Sequence, residues 1–275
     1  MLLQVKDLCI SFADGKGAYT EAVSHIGFSL NTGDSLAIVG ESGSGKTITA
    51  LSLMKLLPNS PKCKIAGEIA LEGQCNILNL PEKQVRHLRG SKIAYIFQAP
   101  STSLNPALTI GFQIAEAVKL HQKHVNIKQE TYQLLEKVGL NPQICYRSYP
   151  FELSGGMQQR AMIAMALACK PQILVADEPT TALDVTLQKQ IIELLKSLKA
   201  TEHLSIILIT HNLSLVKNFA DKVVVMFRGK IVEQGTTEQI LTQPKHIYTK
   251  ALLQCIPSIK QPQNRLKTIE DYQIK

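Results

Sequence analysis

The chain has 275 residues, which is enough for one large domain or for a core with an inserted subdomain. Its formal net charge is +8, and its contents of 45% hydrophobic and 19% charged residues are ordinary for a folded protein. A positive charge suits an anionic partner, but the chain has no tryptophan and no interleaving of basic with aromatic residues, so nucleic acid is not a favoured partner. No apolar run is long enough to span a membrane, and the residues after Met1 lack the basic and apolar regions of a secretion signal.

The N-terminal part of the chain predicts β-strands at residues 2–12 and 23–30, because both segments alternate between apolar and polar residues. Residues 35–39 form a short apolar run, which predicts a buried strand. Residues 48–57 have the pattern of a helix, and we expect this helix to end before the proline that follows it.

Between that strand and that helix, the chain fits the phosphate-binding pattern G-x-x-x-x-G-K-[ST] at every fixed position. The residues of the pattern are Gly40, Glu41, Ser42, Gly43, Ser44, Gly45, Lys46 and Thr47. Glycines let backbone N–H groups turn towards phosphate oxygens, and a helix N-terminus adds partial positive charge. Lys46 is suited to reach the β- and γ-phosphates, and the Thr47 hydroxyl is suited to bind Mg²⁺. This context favours a nucleotide site over an ordinary glycine-rich turn.

The rest of the chain alternates strands with helices. Strand patterns occur at residues 65–72, 92–97, 173–176, 205–209 and 222–226. Helical patterns at 158–169 and 186–200 separate the later strands, and this alternation implies a mainly parallel sheet. Residues 99–157 lack strand patterns but have amphipathic helical periods at 110–120 and 128–138, which indicate an inserted helical subdomain.

Two carboxylates, Asp177 and Glu178, follow the apolar segment at 173–176. The carboxyl ends of parallel strands face the ligand crevice of such a sheet. Asp177 is suited to hold Mg²⁺ directly or through water, and Glu178 is suited to polarise a water as a general base. The same Asp-Glu-Pro sequence also suits a turn or a helix cap, and the phosphate loop elsewhere in the chain favours the catalytic interpretation.

A third motif, Ser154, Gly155 and Gly156, follows Leu153 and precedes a helix. A serine and two glycines at a helix start can bind an anion, although an ordinary N-cap has the same composition. One phosphate loop and a second, distant anion site in one chain suggest a composite site shared between two chains.

Together these motifs resemble the nucleotide-binding subunits of ATP-binding cassette (ABC) transporters over nearly the whole chain. The resemblance implies an α/β fold: a P-loop NTPase core with a mainly parallel sheet, an N-terminal antiparallel β subdomain and an inserted helical subdomain. Residues 1–245 correspond to the cassette, with the insert at about 99–157, and residues 246–275 form a short C-terminal tail that begins as a helix or turn.

The resemblance also implies roles for individual residues. Ser154 and its glycines contact the γ-phosphate of ATP held by the opposite subunit. Gln98 senses Mg²⁺ and the transport subunit, Asp184 lies at the dimer interface, and His211 contacts the γ-phosphate and the Glu178 region. Each of these side chains taken alone could be structural, and their order and spacing favour the functional assignment.

An aromatic residue on the N-terminal strand stacks on adenine in this family. Phe12 is the best-aligned candidate and Tyr19 is the competitor, while either could instead belong to the core of the β subdomain.

A narrower similarity is to the importers of dipeptides, oligopeptides and nickel. It is carried by Phe97-Gln98-Ala-Pro-Ser-Thr-Ser-Leu-Asn105-Pro106, by residues 162–168 and 177–186, and by Pro244-Lys-His-Ile-Tyr-Thr in the tail. Ala99 and Ile247 depart from that pattern. The six cysteines form no C-x-x-C pair, so we interpret them as reduced thiols and expect neither a disulfide or zinc framework nor an iron–sulfur cluster.

These observations lead to the expectation of an ATPase at the cytoplasmic face of the inner membrane, using ATP and Mg²⁺. Its expected partners are transmembrane permease subunits, a second ATP-binding subunit that is a paralogue and, indirectly, an extracytoplasmic solute-binding protein. A nickel or other small-solute importer ATPase is the alternative within the subfamily. A soluble ATPase of DNA repair or translation and a purely structural module are the alternatives outside it, and Glu178 argues against the last.

Overall fold

The structure is a computed structural model that describes residues 1–15, 17–58, 60–73, 76–181 and 183–255. The last part of the expected tail, residues 256–275, lies outside the described residues. The chain divides into two compact units. The first contains residues 1–80 and the chain from Leu208 onward, and the second contains residues 81–207.

The described residues form nine strands: β1 (Leu3–Ala13), β2 (Tyr19–Leu30), β3 (Ser35–Val39), β4 (Cys63–Leu71), β5 (Ile93–Ile96), β6 (Ile173–Asp177), β7 (Ser205–Thr210), β8 (Lys222–Phe227) and β9 (Lys230–Thr236). They also form eleven α-helices: α1 (Lys46–Ser52), α2 (Glu82–Leu88), α3 (Pro100–Ser103), α4 (Ile110–His121), α5 (Ile127–Lys137), α6 (Pro142–Cys145), α7 (Gly155–Leu167), α8 (Val185–Thr201), α9 (Leu213–Val216), α10 (Thr237–Thr242) and α11 (Ile247–Gln254). Two short 3₁₀ helices cover Ile77–Asn79 and Pro150–Glu152.

The first unit contains an antiparallel sheet with the strand order β2-β1-β4. Its inward side chains, such as Leu3, Leu8 and Ile10 of β1, are fully buried, as the alternating pattern predicts. Register shifts interrupt the pairing of β1 with both neighbours, so the alternation is broken near the middle of this strand. The N-terminal antiparallel subdomain is therefore confirmed.

The remaining strands form mainly parallel β-structure, with the neighbour order β3-β8-β9 in the first unit and β5 beside β6 in the second. β3 pairs in parallel with β8, and β5 pairs in parallel with β6. All residues of β3 and β6 are buried, which explains why residues 36–39 and 173–176 are all apolar. The mainly parallel sheet is confirmed.

One edge of this sheet differs from the prediction, because β9 pairs antiparallel with β8 and was not predicted. Arg228 and Gly229 join the two strands and both have positive φ, at 47° and 77°, as two-residue hairpins require. The polar Glu233 and Gln234 lack the apolar alternation on which strand prediction depends.

The second unit contains α2 to α8 as well as β5 and β6. Between β5 and β6 it is helical, and α4 packs against both α5 and α7. The strand-free character of residues 99–157 is therefore confirmed. Helix α2 was not predicted. Across the described ranges, no helix is both long enough and apolar enough to cross a membrane.

Two predicted helix boundaries are wrong. Helix α1 begins at Lys46 and ends at Ser52, because turns replace the helix at the residues that follow, and Lys55 has a left-handed backbone with φ of 51°. Helix α7 begins at Gly155, three residues earlier than predicted, because Ser154 caps it and both glycines adopt the helical conformation.

Candidate nucleotide-binding site

The phosphate loop joins β3 to α1, and its tight path requires glycine at two positions. A Cβ atom on Gly40 would overlap the carbonyl oxygen of Met226, so this position requires glycine. Gly45 has φ of 98°, and a Cβ atom there would lie 3.0 Å from the carbonyl oxygen of Ala22. The loop therefore packs directly against the backbone of β2 and β8.

Lys46 lies inside this loop and is only 4% exposed. Its ammonium group donates hydrogen bonds to the carbonyl oxygens of Gly40 at 2.9 Å and Glu41 at 2.7 Å. A buried ammonium is stable only when oxygen atoms surround it, so the loop holds this charge at its own centre. The lysine is thus placed where an anion in the loop would meet a positive charge.

Ser44 supplies independent support for a ligand in the loop. Its hydroxyl group is buried, and no described group forms a hydrogen bond with it. A buried hydroxyl without a partner destabilises a protein by about 1–3 kcal/mol, so such groups are rare unless a ligand or water satisfies them. A phosphate oxygen fits this position, because it accepts the hydrogen bond that the hydroxyl offers. The loop therefore fits the phosphates of a nucleotide.

In the second unit, β6 ends at Asp177, which is 3% exposed. The hydroxyl of Tyr95 on β5 donates a hydrogen bond of 2.7 Å to Oδ2 of Asp177. Burial, with the negative charge of Asp177 as the second cause, raises the pKa of Tyr95 well above its ordinary value, so this hydroxyl remains a donor. Carboxylate oxygens such as those of Asp177 are donors that Mg²⁺ prefers.

Tyr95 was not predicted as a site residue. A tyrosine within the otherwise apolar β5 was the only signal in the sequence, and a tyrosine in a strand is usually a core residue.

Glu178 follows β6 and has a left-handed backbone with φ of 45°, which is unusual for a residue other than glycine. The side-chain amide of Gln98 donates to its Oε2 at 3.1 Å, and the hydroxyl of Thr181 donates to the same oxygen at 2.8 Å. Two donors on one oxygen fix the orientation of the carboxylate. The structure thus brings Gln98 and Glu178 together and adds Thr181, which was not predicted.

Ser154 is the N-cap of α7, and its hydroxyl accepts a hydrogen bond of 3.4 Å from the backbone N–H of Met157. Ser154 and Gly155 are exposed, whereas Gly156 is buried and would meet Leu187 at 3.3 Å if it carried a Cβ atom. The exposed helix start suits an anion from another molecule, and the capping role is present as well. The signature role of Ser154 therefore stays a prediction.

Asp184 is the N-cap of α8, and its Oδ1 accepts hydrogen bonds of 2.9 Å from the backbone N–H groups of Thr186 and Leu187. His211 directly follows β7 and is exposed. These exposed positions are compatible with an interface and with a nucleotide contact, and both roles stay predictions.

The two candidates for stacking on adenine differ in their surroundings. Tyr19 is 37% exposed, but the Lys64 ammonium lies 3.7 Å from its ring centroid and its hydroxyl donates to the carbonyl of Pro61. Phe12 is half-buried near the end of β1, opposite Thr20. Lys64 thus already occupies one face of the Tyr19 ring, which leaves Phe12 the better candidate.

The candidate residues are distributed between the two units. The phosphate loop, Phe12 and His211 belong to the first unit. Gln98, Ser154, Asp177, Glu178 and Asp184 belong to the second. Their assembly around one nucleotide stays a prediction.

Comparison with known protein families finds two matching family models, which cover different parts of the chain. A model of the ABC transporter family matches residues 23–181. A model of the C-terminal region of oligopeptide/dipeptide transporters matches residues 232–274.

Several curated proteins are similar along most of this chain. The dipeptide transport ATP-binding protein DppD of Haemophilus influenzae is 46% identical over 272 residues, which cover 98% of this chain and 82% of that protein. The oligopeptide transport ATP-binding protein OppD of Bacillus subtilis is 48% identical over 94% of this chain and 73% of that protein. The peptidoglycan transport ATP-binding protein YejF of Agrobacterium fabrum is 50% identical over 95% of this chain, but the chain spans only 48% of that relative.

Solved structures share the fold. The ATP-binding cassette MJ0796, in a dimeric post-hydrolysis state bound to ADP and phosphate, is 24% identical with a TM-score of 0.75, covering 86% of this chain and 99% of that one. The protein cbiO1 of Clostridium perfringens is 25% identical with a TM-score of 0.75, covering 88% of this chain and 91% of that one. With the family match and the near-full-length relatives, these findings establish that the chain belongs to the ABC transporter family.

Proposed function

We propose that this chain is the ATP-hydrolysing subunit of a membrane importer of dipeptides or oligopeptides. The ATPase assignment rests on the phosphate loop, which contains the buried lysine Lys46 and the buried Ser44 hydroxyl that has no hydrogen-bond partner among the described residues. The peptide part is supported by relatives named for dipeptide and oligopeptide transport that align over nearly the whole chain. It is supported further by the C-terminal region that matches the oligopeptide/dipeptide transporter model.

ATP binding rests on the residues of the loop. The flexible Lys46 side chain, whose ammonium group now bonds the carbonyl oxygens of Gly40 and Glu41, would bind oxygens of the β- and γ-phosphates instead. The Ser44 hydroxyl donates to a phosphate oxygen and is thereby satisfied. The backbone N–H groups of Gly43 and Gly45 and the start of α1 complete the anion site.

Hydrolysis requires a metal ion and a general base. Thr47 and Asp177 would hold Mg²⁺, and the bound ion would neutralise charge on the phosphates. Glu178 accepts a proton from the attacking water. The hydrogen bonds from Gln98 and Thr181 to one carboxylate oxygen orient the Glu178 side chain for this step.

The exposed Ser154 serves the nucleotide of a second ATP-binding subunit, which we propose to be a paralogue. The helical segment after Gln98 contacts transmembrane permease subunits, so that the nucleotide state and the membrane subunits are coupled. The chain then lies at the cytoplasmic face of the inner membrane, and an extracytoplasmic solute-binding protein delivers the cargo. A nickel or other small-solute importer is the second candidate, because the segment from Phe97 to Pro106 also resembles the corresponding segment of nickel importers.

The transport function is tested with the complete importer in proteoliposomes. ATP-driven uptake of radiolabelled dipeptide, a longer peptide and Ni²⁺ is compared, and Lys46→Ala serves as the inactive control. We expect peptide uptake that requires ATP and is abolished in the variant. Uptake of Ni²⁺ with no uptake of either peptide would contradict the peptide assignment and favour the second candidate.

The contact with the permease is tested by crosslinking. Ser101 on α3 is exposed, and so is Ser197 on α8. Ser101→Cys is expected to crosslink to cysteines in the cytoplasmic loops of the permease, whereas the control Ser197→Cys is not. Crosslinks from Ser197→Cys alone, in an importer that still hydrolyses ATP, would place the contact elsewhere.

A further inference from the structure

The C-terminal helix α11 contacts the phosphate loop through one side chain. Tyr248, in the first turn of α11, is completely buried, and its hydroxyl oxygen accepts a hydrogen bond of 2.9 Å from the backbone N–H of Glu41. The two residues are 207 positions apart in the sequence. A segment remote from the sequence motif therefore makes a direct contact with the loop.

The N–H of Glu41 belongs to the same planar peptide group as the carbonyl of Gly40. That carbonyl accepts a hydrogen bond of 2.9 Å from Lys46. Because the peptide group is rigid, rotation about its axis would break both hydrogen bonds together. Tyr248 and Lys46 thus hold one peptide group from its two ends.

The ring of Tyr248 is held in place from the side of β8. It packs against Phe227, with 4.3 Å between the ring centroids. Phe227 immediately precedes the hairpin whose Gly229 donates a backbone hydrogen bond of 3.1 Å to the carbonyl oxygen of Ser44. The hairpin and Tyr248 therefore support the loop at two separate points.

The start of α11 is also fixed to the rest of the first unit. The carboxylate of Glu233 on β9 accepts hydrogen bonds from the backbone N–H groups of Lys245 at 2.7 Å and His246 at 3.0 Å. Nδ1 of His246 accepts a hydrogen bond of 3.1 Å from the backbone N–H of Tyr248. These contacts determine where the first turn of the helix, and with it Tyr248, can lie.

We propose that Tyr248 is a positioning residue that sets the orientation of the Gly40–Glu41 peptide and thereby the affinity of the phosphate loop for ATP. This inference rests on the proposed function of residues 40–47. It assigns to the C-terminal region a role in nucleotide binding by its own chain. The competing interpretation is that Tyr248 only fills the core, and that its hydrogen bond with Glu41 has no effect on the conformation of the loop.

Tyr248→Phe separates these interpretations, because it keeps the ring and removes the hydroxyl. The substitution leaves the N–H of Glu41 without its acceptor, and we expect the dissociation constant for ATP to rise about 5- to 30-fold. Calorimetry with the full chain measures this constant. The matched control is Tyr132→Phe on α5, a tyrosine whose ring packs against Tyr146 and whose hydroxyl makes no hydrogen bond with a described residue.

A second measurement identifies the site of any change. Amide hydrogen exchange of the peptide covering residues 38–47 is expected to accelerate in Tyr248→Phe, while exchange in β8 and the antiparallel sheet stays as in the parent. Acceleration throughout the chain, with weaker binding, would show a general loss of stability and would overturn the positioning role. An ATP affinity within about twofold of the parent would overturn it as well.

Lys46→Ala distinguishes failure of this inference from failure of the proposed function. If Lys46→Ala abolishes ATP binding and Tyr248→Phe leaves it unchanged, only the role of Tyr248 is wrong. If Lys46→Ala binds ATP as the parent does, the assignment of the loop is wrong, and the inference is overturned together with it.

Discussion

The hydroxyl of Tyr95 lies 2.7 Å from Oδ2 of Asp177 and donates a hydrogen bond to it. Asp177 is 3% exposed, so water contributes little to stabilising its carboxylate. A buried carboxylate depends on hydrogen-bond donors for its charge and its orientation. Tyr95 therefore helps to hold the proposed Mg²⁺ ligand in one rotamer.

Replacing Tyr95 with phenylalanine removes this donor and keeps the ring, which packs 4.7 Å from the ring of Phe97. Loss of a hydrogen bond to a metal ligand commonly weakens metal affinity or activity by about 10- to 100-fold. We expect the Mg²⁺ concentration at half-maximal ATPase activity to rise about 10-fold. Titration of Mg²⁺ at saturating ATP measures it, with Tyr132→Phe as control. An unchanged Mg²⁺ dependence would show that Asp177 is positioned without Tyr95.

The sequence predicts most accurately those helices and strands whose bounds are determined by the local pattern of apolar and polar residues. Residues 36–39 are all apolar, and β3 has the predicted bounds of residues 35–39. The start of α7 was misplaced because two glycines after Ser154 resemble a flexible lead-in, whereas the cap makes them helical. Strand β9 was missed because its polar residues lie at the edge of the sheet, where burial does not select for apolar ones.

In the candidate site, too, the residues that the sequence predicts are those in local motifs. Lys46 and Glu178 belong to contiguous motifs, so both are predicted from the sequence alone. The roles of Tyr95 and Tyr248 depend on contacts across 82 and 207 positions, and only the folded chain brings those partners together. Thr181 is close to Glu178 in sequence, but the hydrogen bond between their side chains is visible only in the folded chain, where Glu178 has a left-handed backbone.

Ser154→Asp distinguishes an anion site from a simple helix cap. Aspartate caps a helix about as well as serine, so the stability of the chain should change little. Its negative charge would repel the γ-phosphate of the partner's nucleotide. We expect the isolated chain to bind ATP as before, whereas ATP-dependent association with the second subunit and ATP hydrolysis in the importer are lost.

The control for this variant is Ser197→Asp, which adds the same charge at an exposed position of α8. Association is measured by analytical ultracentrifugation with and without ATP. Normal ATP-dependent association of Ser154→Asp would mean that Ser154 is only a cap. Loss of ATP binding by the isolated, folded variant would instead contradict an action on the partner's nucleotide.

Glu233 makes the stability of the first unit depend on pH. Burial acts to raise the pKa of its carboxyl group, but the nearby Thr249 hydroxyl and the hydrogen bonds from the backbone N–H groups of Lys245 and His246 outweigh burial, and the net effect is a lowered pKa. A carboxyl group with a lowered pKa in the folded state stabilises the fold above its unfolded pKa of about 4.3. This contribution is lost as the pH falls below that value and through the folded pKa.

Thermal unfolding of the parent and of Glu233→Gln across pH 3–7 measures this contribution. Glutamine keeps the size of the side chain and cannot ionise. We expect the parent to be more stable at about pH 7, and the difference to shrink steadily below about pH 4.3. A difference that is constant across the whole range would show that the charge of Glu233 contributes nothing.

If Glu178 is the general base of an ATP-hydrolysing subunit, as we propose, Glu178→Gln should separate ATP binding from hydrolysis. Glutamine retains a carbonyl oxygen that can accept the hydrogen bonds from Gln98 and Thr181, so the side chain should keep its place. It does not accept a proton at neutral pH, so turnover should fall by about 10²–10⁴-fold while ATP binding is retained. The ATP-bound dimer should accumulate. The control Glu193→Gln changes an exposed glutamate of α8 in the same way.

The decisive measurement is the rate of ATP hydrolysis by the assembled importer carrying Glu178→Gln, together with its ATP affinity. We expect the Glu178→Gln importer to bind ATP as tightly as the parent and to hydrolyse it at least about 100-fold more slowly, while Glu193→Gln hydrolyses ATP at the parental rate. Hydrolysis by Glu178→Gln at the parental rate would show that Glu178 is not the general base.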